Sequence, residues 1–284
     1  MQLYSESNFS NQSTSTESKK QRSCVVFLHG LLGSRHDWET IIAALSPEYD
    51  CINIDLPGHG RSQDIIVSGF EQVQQLIINT LAQYDIKPII LVGYSLGARV
   101  AMQIACQPEP EWCYPLQGLL LESGHTGLSS KEAEQRWQHD SAWANRFQQE
   151  PLAQVLSDWY QQPVFASLTE GQRAEYIATR SCSQDRKASS HAGAQISRML
   201  KATSLAKQGD FLLKLKRLPY PVQVLCGKQD PKFHRLAQQS QLSYQAIDQV
   251  GHNIHAELPE LFSQLVRQFI ATTERSLALE PSTI

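Results

Sequence analysis

Ser95 stands inside Gly93-Tyr94-Ser95-Leu96-Gly97, straight after the apolar run Ile89-Ile90-Leu91-Val92 and straight before Leu96, Val100 and Ile104 at helical spacing. A G-x-S-x-G pattern between a strand and a helix is a nucleophile elbow. The sharp turn lifts the serine hydroxyl clear of the backbone, and the flanking glycines leave room for strand and helix. A serine hydroxyl at neutral pH is a poor nucleophile or base, so it needs a histidine within hydrogen-bond reach and an acid that holds that histidine's tautomer. Asp230, in the turn Gly227-Lys228-Gln229-Asp230 after Val222 to Cys226, and His252, in Val250-Gly251-His252-Asn253, supply both in the order serine, acid, histidine. Asp230 precedes Pro231 and could simply cap a turn, and His252 could be a loop histidine beside His255. Asp248 is a competing acid that would have to point back toward His252.

Such chemistry also needs backbone N–H donors aimed at the oxygen that gains charge, worth roughly 10²–10³ in rate per donor. Leu96, directly after the serine at a helix start, offers one, and Leu31, in His29-Gly30-Leu31-Leu32-Gly33, offers the other. His29 reads as structural, positioning that loop. The string Asp55-Leu56-Pro57-Gly58-His59-Gly60-Arg61-Ser62 shapes a second loop and supplies no chemistry of its own. Neither H-E-x-x-H nor paired C-x-x-C spacing occurs, so no metal site and no cofactor are expected.

The elements that must position these residues alternate. Strands are expected at 25–28, 51–54, 88–92 and 117–121, with helices over 36–45, 70–84 and 96–106 between them. Short apolar strands separated by helices imply an α/β class chain with a mostly parallel, doubly wound sheet covered on both faces. After Glu122-Ser123-Gly124-His125 the rhythm stops, and helix formers fill 131–147, 152–160, 170–178 and 194–205. The α/β pattern returns with strands at 222–226 and 244–247, a helix near 233–240 and a closing helix over 255–270. The expected organisation is a poorly ordered leader over 1–22 holding at most one strand between Leu3 and Phe9, a core over 23–124 and 216–275, a helical cap over 125–215 and a flexible tail over 276–284. The cap lies over the carboxyl edge of the sheet, where open α/β sheets place their ligands.

The chain has 284 residues, 41% of them hydrophobic, with a net charge of −3. That balance gives no general attraction to nucleic acid or anionic lipid. The leader lacks the apolar stretch of about 7–15 residues a signal peptide needs, and no run approaches the ~20 of a membrane span. Six scattered cysteines read as reduced thiols of a cytoplasmic protein.

The order serine, aspartate, histidine is that of the α/β-hydrolase fold. The strings VVFLHG, DLPGHGRS, LVGYSLGARVAM, DWYQQPVFASL and VGHNIHAE closely resemble the MenH family, the 2-succinyl-6-hydroxy-2,4-cyclohexadiene-1-carboxylate (SHCHC) synthases of menaquinone biosynthesis. The string DWYQQP discriminates, because it lies in the cap, where substrate specificity is usually decided. Ala98 departs from the family, many of whose members carry a second glycine there. The resemblance implies a carbon–oxygen lyase that eliminates pyruvate from 2-succinyl-5-enolpyruvyl-6-hydroxy-3-cyclohexene-1-carboxylate, with Ser95 acting as base. It also implies substrate contacts at Tyr94, Arg99, Arg136, Trp159 and Arg180, arginine suiting a polycarboxylate because its planar fork pairs two oxygens at once. The expected partner is therefore a small-molecule polycarboxylate, with no nucleic acid, no membrane insertion, and a monomer or weak homo-oligomer. A serine esterase or thioesterase working through an acyl-enzyme would share every core residue and is the alternative.

Overall fold

The computed structural model describes residues 1–9, 23–86, 88–108, 110, 112, 114–181 and 192–279. Seven strands form one sheet: β1 (Ser5–Asn8), β2 (Cys24–Leu28), β3 (Asp50–Ile54), β4 (Ile89–Tyr94), β5 (Leu116–Glu122), β6 (Val222–Gly227) and β7 (Ser243–Ile247), in the order β1-β3-β2-β4-β5-β6-β7. Every pairing is parallel except β1 with β3. The helices are α1 (Glu39–Leu45), α2 (Phe70–Leu81), α3 (Leu96–Cys106), α4 (Ser130–Gln149), α5 (Leu152–Trp159), α6 (Glu170–Ser181), α7 (Ala192–Ala202), α8 (Leu212–Leu215), α9 (Pro231–Ser240), α10 (Ile254–Glu257) and α11 (Pro259–Leu279).

Alternation along the strands divides the core. Val25 and Phe27 of β2 face a cluster with Trp38, Ile41 and Phe262, whereas Cys24, Val26 and Leu28 face one with Phe70, Val73 and Val100. Both faces of the parallel sheet are thereby buried, as its near-continuous apolar strands require. A third cluster lies within α4 to α7, with Phe147, Leu156, Ile196 and Leu200, and Leu32 from the loop after β2 enters it. Helix α4 starts on a capping box, the Ser129 N–H donating to Glu132 Oε2 at 3.0 Å while Ser129 Oγ accepts the Glu132 N–H.

The one strand allowed to the leader between Leu3 and Phe9 is β1, which pairs along β3 from Ser5 to Asn8; residues 10–22 lie outside the described residues. Two expectations are corrected. The closing helix is two, because Pro259 has no N–H to continue the ladder and starts α11 after the short α10. Helix α11 runs on to Leu279, into the stretch expected as a flexible tail, of which 280–284 lie outside the described residues. Cys24, Cys51, Cys106 and Cys226 are free and buried, and Cys113 and Cys182 lie outside the described residues. Among the described residues no helix is long and apolar enough to cross a membrane.

The two elbow glycines have separate steric causes. A Cβ on Gly93 would stand 2.5 Å from the Gly97 carbonyl oxygen, and one on Gly97 would stand 2.0 Å from the Leu28 carbonyl oxygen. Both obstacles are backbone, so neither site can relax by turning a side chain. Gly97→Ala is expected to destabilise the fold by about 3 kcal/mol, the upper end for overpacking. Chemical denaturation measures this, and an unchanged midpoint would mean that α3 can move off β2.

Candidate active site

Ser95 sits between β4 and α3 at φ 49° and ψ −102°, a backbone conformation that L side chains rarely adopt. Its N–H donates to the Glu122 carbonyl at 2.9 Å, extending the pairing of β4 with β5, and its carbonyl accepts the Arg99 N–H at 3.2 Å. Strand and helix thus each hold one side of the strained residue. The Leu96 N–H, at the first position of α3, belongs to the turn whose donors have no partner within the helix.

Asp230 does both things the sequence allows. Its Oδ1 caps α9 by accepting the Phe233 N–H at 3.2 Å, with Pro231 behind it at the first helical position, and its Oδ2 lies 2.7 Å from His252 Nδ1. With Nδ1 committed to the carboxylate, Nε2 faces Ser95 Oγ at 3.4 Å. That separation is long for a hydrogen bond, as is common before substrate tightens a catalytic contact. Asp248 turns away to Lys228 at 2.8 Å. The His252 ring is boxed by Phe233 at 4.7 Å, Tyr94 at 5.4 Å and Phe165, from the insertion, at 5.9 Å.

Two neutral histidines shape the loop that carries Leu31. His29 Nδ1–H donates to the Gly30 carbonyl at 2.7 Å while its Nε2 accepts the Leu56 N–H at 2.9 Å. His59 Nδ1–H donates to the Pro57 carbonyl at 2.8 Å while its Nε2 accepts the Leu32 N–H at 3.1 Å. Burial lowers the His29 pKa, against the pull of Asp55, and keeps that ring an acceptor. Leu32 adopts φ 68°, so the peptide beside Leu31 is fixed from both loops. The second loop therefore props the first, a connection its motif does not reveal.

The end of β5 holds the histidine loop, which sequence reasoning missed. Glu122 Oε1 accepts the His255 N–H at 3.1 Å and its Oε2 lies 2.8 Å from His255 Nδ1, with both residues buried. Ser123 Oγ donates to the His252 carbonyl at 3.0 Å. Tyr94 O–H donates to Asn253 Oδ1 at 2.7 Å, and its ring lies 4.5 Å from that of His255. His252, Asn253 and His255 are consequently each held by a neighbour from another element. Glu122→Ala, which strands a buried histidine, is expected to cost about 3–5 kcal/mol of stability and to lower turnover, with Glu122→Gln milder. Thermal unfolding checks this, and equal midpoints for both variants and the parent would show that the carboxylate carries no load.

The remaining residues fall into two groups. Arg99, 8% exposed, donates from Nη1 to the Thr203 carbonyl at 2.7 Å and lies 5.5 Å over the Phe70 ring. Burial, reinforced by the nearby Arg136, pulls its pKa down to about 9 against the weaker help of Asp140, so it is still charged at neutral pH. Arg136 Nε donates to Asp140 Oδ1 at 2.7 Å, and the other oxygen of Asp140 accepts from Ser204 Oγ. Among the described residues no carboxylate forms an ion pair with Arg99. Arg180, by contrast, is ion-paired with Asp37 at 2.7 Å, and Asp37 and Tyr160 raise its pKa although burial opposes them. It fastens α6 to the turn after the Leu31 loop. Trp159 packs on Trp143 at 5.0 Å and Phe147 at 5.5 Å, inside the cluster of α4 to α7.

The geometry can activate a hydroxyl, offer N–H donors beside it and receive a carboxylate at Arg99. Among the described residues no group of three or more His, Cys, Asp or Glu could hold a metal ion. Residues 25–265 match the model of the alpha/beta hydrolase family. A 2-succinyl-6-hydroxy-2,4-cyclohexadiene-1-carboxylate synthase of Serratia proteamaculans is 42% identical over 255 residues, covering 89% of this chain and 95% of that protein. The protein of that name from Klebsiella pneumoniae is 44% identical over 249 residues, covering 87% and 94%. The solved structure of MenH from S. aureus superposes with a TM-score of 0.81 at 25% identity, covering 96% of this chain and all of that one.

Proposed function

We propose a reaction for this chain from the family it belongs to, the SHCHC synthases within the alpha/beta hydrolases: it eliminates pyruvate from 2-succinyl-5-enolpyruvyl-6-hydroxy-3-cyclohexene-1-carboxylate to give SHCHC in menaquinone biosynthesis. The observation that carries the residue roles is a triad-type contact set beside a buried arginine with no carboxylate of its own. His252 draws the Ser95 proton, and Ser95 Oγ takes the ring proton alpha to the succinyl ketone. Asp230 holds the imidazole and stabilises its charged form. The electrons freed from that C–H bond collect on the ketone oxygen, which faces the N–H groups of Leu31 and Leu96. Their return shifts the ring double bond and breaks the carbon–oxygen bond to the enolpyruvyl group. The departing enolate takes a proton back and becomes pyruvate, so no water is consumed.

Arg99 and Arg136 receive substrate carboxylates, and Tyr94 lines the floor beside His252. Arg180, ion-paired with Asp37 as Arg136 is with Asp140, and Trp159, half-buried against Trp143 and Phe147, are the further substrate contacts from the insertion. The segment 125–215 acts as a cap over the 23–124 and 216–275 core. The enzyme works in the cytoplasm as a monomer or weak homo-oligomer, without a cofactor. One coupled assay with purified protein tests the reaction, following loss of the enolpyruvyl substrate and appearance of pyruvate in equal amounts. Ester hydrolysis with no pyruvate release would replace the lyase with an acyl-enzyme hydrolase.

A further inference from the structure

His125 lies at the same sheet edge, three residues beyond the end of β5, and none of the steps above uses it. Its Nδ1 accepts the Gly127 N–H at 3.3 Å, so the proton of the neutral ring sits on Nε2. The residue is 8% exposed, yet Nε2 is neither hydrogen-bonded among the described residues nor sealed from solvent. The ring meets Phe233 edge to face at 6.4 Å, and Phe233 meets His252 at 4.7 Å. A single phenyl ring therefore separates His125 from the triad. The charges that act on it are those of Lys232 of α9, Arg136 of α4 and Arg99 of α3, with Glu132 of α4 as the opposing charge. Burial and those three cations push its pKa down to about 4, leaving it neutral at working pH. Lys232 Nζ lies 5.6 Å over the same Phe233 ring.

We infer that His125 is a further substrate-binding residue, whose Nε2–H donates a hydrogen bond to a carboxylate oxygen drawn into this corner by Arg99, Arg136 and Lys232. The inference rests on the polycarboxylate substrate of the proposed reaction. A neutral donor suits the position because the three cations already supply attraction, and a fourth would repel them in the empty site. What the imidazole adds is direction: a fixed N–H that selects one orientation of the carboxylate.

The test compares His125→Leu, which keeps much of the volume, with His125→Gln, whose amide N–H reaches toward the place of Nε2. Pyruvate release gives KM and kcat, thermal unfolding reports the fold, and calorimetry with the product SHCHC reports binding without turnover. His125→Leu is expected to raise KM and weaken product binding by about tenfold or more, the worth of one hydrogen bond to a charged group. In that variant kcat changes far less and the unfolding midpoint stays put, and His125→Gln recovers most of the loss. A KM and product affinity for His125→Leu within twofold of the parent would overturn the inference, as would equal losses in both variants, which mark a packing role. A parent protein that releases no pyruvate and binds no product overturns the reaction itself, and the inference with it.

Discussion

Alanine at Ser95 or at His252 is expected to cut pyruvate release by about 10³–10⁴-fold, the contribution of a well-placed general base. The two residues act as one unit, so the double variant should be no slower than the worse single one. The 3.4 Å contact between Nε2 and Oγ is where that unit is joined, and Asp230 at 2.7 Å from Nδ1 decides which nitrogen faces the serine. Ser95→Ala should still bind the product, because the N–H groups of Leu31 and Leu96 are backbone and survive the change. Single-turnover kinetics of pyruvate release, with mass spectrometry of the quenched enzyme, read both halves of the claim. Near-parental release from either variant would remove Ser95 as the base, and an adduct on Ser95 would restore the acyl-enzyme alternative.

Arg99→Met should lower kcat/KM for the polycarboxylate by about 30-fold to several thousand-fold, the cost of deleting one partner of a buried charge pair. Methionine is chosen because it keeps the stem that packs against Phe70. The free protein should respond in the opposite sense. Arg99 is buried near Arg136 without an ion-paired carboxylate among the described residues, so removing its charge relieves the cost of burial and a repulsion that Asp140 offsets only in part. The unfolding midpoint is therefore expected to be equal to or higher than that of the parent. Calorimetric unfolding beside steady-state kinetics distinguishes this from a structural arginine, whose loss would lower midpoint and activity together. Unchanged kcat/KM would take Arg99 out of the site.

The parts of the site legible in the sequence are those whose chemistry is written over a few consecutive residues. The elbow around Ser95 and the turns carrying Asp230 and His252 each follow an apolar strand, so local pattern and chain order suffice to bring them to one edge. The grip of Glu122 on His255 is not legible, because 133 positions separate the partners and either residue alone reads as an ordinary polar loop position. The Asp37 to Arg180 pair is hidden in the same way, and the resemblance that marks Arg180 as a ligand does not reveal the acid that meets it. Strand β1 is legible only as the single strand allowed between Leu3 and Phe9, and its bounds and partner are hidden for a different reason. Ser-Glu-Ser-Asn has no apolar alternation, and its pairing with β3 is decided by backbone hydrogen bonds at an edge. The break between α10 and α11 was marked by Pro259, a residue compatible with a helix start as much as with a stop.

Strand β5 pairs with β4 on one side and with β6 on the other, and about one hundred residues of insertion are made between β5 and β6. On a ribosome adding roughly 5–20 residues per second, that interval lasts about 5–20 s. Throughout it the apolar edge Leu119-Leu120-Leu121 has no neighbour on its β6 side. Newborn chains are thus most exposed to sticking to one another while the insertion is being translated, and a stall within it would prolong that danger.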